Sequence, residues 1–146
     1  MMRRQPLPPN RNNPALTMKK RILIIDDDIP LTHMVKFNLE ATGTYEVHVE
    51  NHAPNAVAAA RRFSPDLIVL DYIMPHQDGR DVHRNLSEDP LLRKVPVIMV
   101  TALMSNKEIQ ADDAPKVHGC TMIAKPVRLQ KLRQCIEENL ATVAVA

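Results

Sequence analysis

The chain alternates short apolar runs with segments whose apolar residues recur every three to four positions. Residues 21–25 (RILII), 67–70 (LIVL), 96–100 (PVIMV) and 121–124 (TMIA) are too short for buried helices and rich in β-branched side chains. They read as strands covered on both faces, the habit of parallel sheets. Residues 45–49 (YEVHV) instead set Tyr, Val and Val against Glu and His, which suits an edge strand with one wetter side. Helical spacing fills the gaps between them. Leu31, Val35 and Leu39 share one face, and so do Ala56, Ala60 and Phe63 after Pro54. Val82 and Leu86 follow Gly79, while Leu129, Leu132, Ile136 and Leu140 form the stripe of a last helix after Pro126. The segment 106–117 carries the weakest helical pattern, with Ile109 almost its only core candidate and Pro115 ending any helix.

Strand and helix alternating five times over predict an α/β fold: a five-stranded parallel sheet with helices on both faces. Ligands of such sheets sit beyond the carboxyl ends of the strands, where strand order reverses. The residues that end each run are therefore the ones to examine. The first run ends in Asp26, Asp27 and Asp28, the third in Asp71, the fourth in Thr101, and the fifth in Lys125 followed by Pro126.

Carboxylates gathered on one rim repel. At about 4 Å and an effective dielectric near 20, each pair costs roughly 4 kcal/mol, a large share of a small domain's ~5–15 kcal/mol. Lys125 supplies one compensating cation, and a hard divalent ion such as Mg²⁺ with oxygen ligands would supply the rest. Carboxylate, Mg²⁺, ammonium and hydroxyl together make a phosphoryl site: nucleophile, charge neutralisers and hydrogen-bond donor.

The stretches ILIIDDD, LIVLDYIMPHQDG, VPVIMVTA and IAKP, in this order over about residues 19–141, resemble the receiver domain of two-component response regulators. The resemblance implies a flavodoxin-like receiver fold with strand order 2-1-3-4-5. It also implies Asp71 as phosphoacceptor, Asp27 as direct Mg²⁺ ligand and Asp26 as positioner of the ion. The backbone carbonyl of Ile73 would complete the ligands. Thr101 and Lys125 would contact the phosphoryl group, with Ala102 leaving it room, while Asp28 matches a variable position. Met122 stands where the family usually has Tyr or Phe, and Val127 where Phe is common. The apolar, branched Ile73 and Leu103 flank the phosphoryl position, so a long-lived phospho-state is expected.

The implied function is a stand-alone receiver taking phosphoryl from a sensor histidine kinase or histidine phosphotransfer protein and signalling to a downstream protein. It is no enzyme beyond its own phosphorylation and dephosphorylation. One rival is a receiver-fold adaptor whose docking ignores phosphorylation. A haloacid dehalogenase-type phosphohydrolase is another, but it needs a second acid two positions after the nucleophile, where Ile73 stands.

Composition narrows the surroundings. A length of 146 residues holds one domain, and 45% hydrophobic with 25% charged residues is ordinary for a soluble chain. No run approaches the eighteen or so apolar residues of a membrane span. No apolar core follows Arg3 and Arg4 as in a secretory signal, so the cytoplasm is expected. Residues 1–17, with Pro6, Pro8, Pro9 and Pro14, read as a disordered tail, and Met18 as an alternative start of translation. The domain is expected over 18–141, with 142–146 a short tail and no room after Lys125 for a DNA-binding domain. A net charge of +2, four aromatics and no Trp argue against nucleic acid. Cys120 and Cys135 read as reduced filler, and the six histidines as solvated.

Overall fold

The computed structural model describes residues 18–102, 116–117 and 120–145. Strands β1 (Lys20–Ile25), β2 (Tyr45–Glu50), β3 (Leu67–Asp71), β4 (Val97–Thr101), β5 (Lys116–Val117) and β6 (Cys120–Ala124) form one sheet in the order β2-β1-β3-β4-β6-β5. The four junctions among β2, β1, β3, β4 and β6 are parallel. These are the five expected strands in the expected order. The two-residue β5 is an addition, pairing antiparallel with β6 at the edge. Lys116 and Val117 follow Pro115, where any helix of the weakly helical segment was expected to have ended; the rest of that segment up to Pro115 lies outside the described residues, as do residues 1–17 and Leu103.

Successive residues of the central strands feed two separate cores. Leu23, Ile25, Ile68, Leu70, Met99 and Met122 pack on one face with α2 (Ala56–Phe63) and α3 (Gly79–Glu88). Ile22, Ile24, Val69, Ile98, Val100 and Ile123 pack on the other with α1 (Ile29–Ala41) and α4 (Leu129–Val145). That two-sided burial is why these runs are apolar without alternation; each fully buried Leu or Ile contributes about 1.5–3 kcal/mol. The edge strand β2 keeps the alternation, with Tyr45 and Val47 buried and Glu46 and His48 exposed.

Local signals set the helix ends. Asp28 caps α1, its carboxylate accepting from the Leu31 amide at 3.0 Å, with Pro30 in the first turn where a missing amide costs nothing. Pro54 lies inside a short 3₁₀ turn, Ala53–Asn55, that leads into α2. The last helix runs to Val145. The sequence after Leu140 holds neither Gly nor Pro to stop it, and the Thr142 hydroxyl donates back to the Glu138 carbonyl at 3.0 Å.

Candidate functional site

Chain order reverses between β1 and β3: the chain leaves β1 outward to β2, then returns to the other side as β3. Ligand crevices of such sheets form at that reversal. Register then places the polar residues. Ile25 pairs with Leu70, so Asp26 lies level with Asp71. Asp71 pairs with Val100, and Thr101 is the next residue. Thr101 pairs with Ala124, and Lys125 is the next. Backbone bonds carry the ladders past the strand ends: Asp26 N–H to the Glu50 carbonyl (3.2 Å), Tyr72 N–H to Val100 (2.8 Å) and Lys125 N–H to Thr101 (2.8 Å). Backbone ladders thus carry Asp26, Asp71, Thr101 and Lys125 to one rim.

One carboxylate oxygen each from Asp26, Asp27 and Asp71 lie within 4.8 Å of one another. Asp26, Asp71 and Thr101 are buried and Asp27 is exposed at the mouth. The Lys125 ammonium stands 3.3 Å from both Asp26 and Asp71. Burial and then the Asp26 charge push the Asp71 carboxyl up to about 6, against the opposing pull of Lys125 and the Ile73 amide. The Lys125 ammonium titrates above its ordinary value: burial lowers it, and Asp26 and Asp71 more than offset that. One ammonium among three carboxylates leaves a net negative pocket with an all-oxygen donor set, which fits a hard divalent cation.

Neighbouring backbone shapes the acceptor strand's exit. Asp78 caps α3 by accepting from the Arg80 amide at 3.0 Å, and the Gly79 amide donates to the Tyr72 carbonyl at 2.8 Å. A Cβ on Gly79 would stand 2.7 Å from both the Tyr72 Cα and its carbonyl oxygen. Only glycine lets the start of α3 lie directly against the chain leaving Asp71. Ile73 is 52% exposed beside the mouth, and Met122 is buried in the core against α2 and α3.

The acid loop has supports that no sequence pattern singled out. The Asn51 side-chain amide donates to the Asp26 carbonyl at 2.8 Å and to the Thr32 hydroxyl at 3.0 Å. The histidines need one correction. His48, His52 and His76 are exposed, but His83 is half-buried, with Nε2 3.0 Å from the Cys120 sulfur. Burial pushes the Cys120 thiol up to about 11, so it stays protonated; Cys120 and Cys135 are both buried thiols outside any disulfide. Among the described residues no helix is long and apolar enough to cross a membrane.

Comparison with known proteins decides the family. The family model of the response regulator receiver domain matches residues 22–137. The chain belongs to the response regulator receiver family. It is 42% identical over 86 residues to the response regulator PleD of Caulobacter vibrioides, covering 59% of this chain and 19% of that protein. It is 36% identical over 85 residues to the phosphate regulon transcriptional regulatory protein PhoB of Escherichia coli, covering 58% of this chain and 37% of that protein. The receiver thus matches well under half the length of these relatives. Among solved structures, a CheY-like receiver domain protein of Methanospirillum hungatei aligns with TM-score 0.70 at 28% identity, over 87% of this chain and 98% of that one. The receiver domain of a signal transduction histidine kinase from Syntrophus aciditrophicus aligns at 0.68 and 31%, over 85% and 92%. Receivers are signalling domains of two-component systems, and the strand order matches theirs.

Proposed function

We propose that this receiver accepts a phosphoryl group on Asp71 from a phosphohistidine of a sensor kinase or phosphotransfer protein. The juxtaposition of Asp26, Asp27 and Asp71 with Lys125 is the observation that carries the reading. An Asp71 oxygen attacks phosphorus, the phosphorus–nitrogen bond breaks, and the imidazole nitrogen leaves with the bonding pair. Lys125, within reach of Asp71, pairs with the incoming phosphoryl oxygens, and the Thr101 hydroxyl at the end of β4 donates to one of them. Asp26, Asp27, Asp71 and the Ile73 carbonyl would hold Mg²⁺, which supplies neutralisation of the charge developing on the phosphoryl oxygens. Hydrolysis of the acyl phosphate by water returns Asp71, and the phospho-state docks to a downstream protein.

Acetyl phosphate with Mg²⁺ tests this directly. Intact mass is expected to show one added phosphoryl group on wild type and none on Asp71→Asn. Unlabelled wild type, or equal labelling of the variant, rejects the reading. A second reading, the adaptor whose docking ignores phosphorylation, draws support from Met122, a packed core side chain. It predicts that beryllofluoride leaves amide exchange in β6 and α4 unchanged, whereas the first reading predicts a change there.

A further inference from the structure

We propose that Asn51 is a positioning residue for the phosphoryl site, setting the acid loop that would hold the divalent cation. The inference rests on the reading of Asp26, Asp27 and Asp71 given above. Its ground is the end of the β1–β2 ladder. The last backbone rung there runs from the Asp26 amide to the Glu50 carbonyl. At Asn51 the chain leaves the sheet for the 3₁₀ turn Ala53–Asn55, so no further β2 residue pairs with β1. The Asn51 side chain donates to the Asp26 carbonyl in place of a backbone N–H, adding one more rung. Its amide also reaches the hydroxyl of Thr32, a fully buried residue in the first turns of α1. That hydroxyl donates in turn to the Ile29 carbonyl at 2.9 Å. One half-buried amide therefore ties together the exits of β1 and β2 and the start of α1.

Those three ends bracket Asp26, Asp27 and Asp28. Within the bracket, an Asp26 carboxylate oxygen accepts from the Asp28 amide at 2.9 Å, and Asp28 caps α1. The loop is pinned on either side of Asp27, the exposed acid of the cluster. Holding the backbone at both flanks fixes where that carboxylate stands before any cation arrives. Groups outside the ligand set that orient ligands in this way typically govern affinity by about 10–100-fold. Asn51 touches neither Asp71 nor Lys125 in any hydrogen bond described above, so its effect should fall on cation affinity.

Calorimetric titration of the full chain with Mg²⁺ tests this, with melting followed separately in EDTA. Asn51→Leu, close in shape and unable to donate, is expected to raise the Mg²⁺ dissociation constant about tenfold or more. Leu86→Ala, a core truncation on α3 remote from the loop, is expected to lower the melting temperature and leave that constant within about twofold of wild type, inside ordinary context effects. A folded Asn51→Leu with the wild-type constant overturns the inference, as does Leu86→Ala raising the constant equally. Should Asn51→Leu fail to fold, Thr32→Val removes the amide's hydroxyl anchor and is expected to raise the constant about threefold, the size of one hydrogen bond; no rise there overturns it too. Wild type that binds no Mg²⁺ at all is a different result: it rejects the phosphoryl-site reading itself.

Discussion

Asp71 is subject to opposed influences whose balance sets its protonation. Burial and the Asp26 carboxylate raise its carboxyl to about 6, from an ordinary 3.8, despite Lys125. The folded metal-free protein therefore holds a proton between about pH 4 and pH 6 that the unfolded chain has released. More protons bound in the native state means stability falls as pH rises through that window. Asp71→Asn removes the repelled charge. It is expected to exceed wild type at pH 7 by on the order of 1–2 kcal/mol, discounted because water partly screens the site. The difference should close below about pH 4, where the carboxyl is neutral in both states. Urea unfolding in EDTA at both pH values checks this, and a wild type at least as stable as the variant at pH 7 contradicts it. The placing of Asp26, Asp71, Thr101 and Lys125 at the strand ends was legible in the sequence because each directly follows an apolar run, and Asp27 comes next after Asp26. Asn51 was not legible. Its two partners lie just past the end of β1 and on α1, and nothing in the string VENHAPN distinguishes a rung from a turn asparagine.

At the scale of elements, the junction of β3 with α3 is a tight passage beside the site. Gly79→Ala would force a methyl against Tyr72 backbone, which cannot swing aside as a side chain would. A loss of about 2–3 kcal/mol is expected, the upper range for overpacking. Asp78→Ala, which removes only the cap, should cost about 1 kcal/mol. Parallel thermal melts compare them, and equal losses would mean the close approach is not what demands glycine. The strands were readable because burial on both faces demands unbroken apolar runs, and the edge strand because β2 alternates. Element ends were less readable. The extension of α4 to Val145 carries no cap signal, and the two-residue β5 is too short to show a period.

For the whole molecule, the same crowding makes folding and cation binding linked equilibria. A cation that binds only the folded state stabilises it by about 2.7 kcal/mol at a hundredfold excess over its dissociation constant. Wild type is expected to melt at a temperature that climbs with Mg²⁺ concentration at pH 7, and Asp27→Asn to show a much smaller climb. Equal climbs in both would detach Asp27 from the ion. The sequence by itself determined the alternation of elements and the chemistry at the end of each strand, because both follow from local period and from which residue interrupts an apolar run. Tertiary structure alone decided the spacing of the three carboxylates, the two equal reaches of Lys125 and the rung made by Asn51. Those depend on strand register and on side chains meeting across distant parts of the chain, and a distance between two such groups is a property of the packed sheet that no single segment encodes.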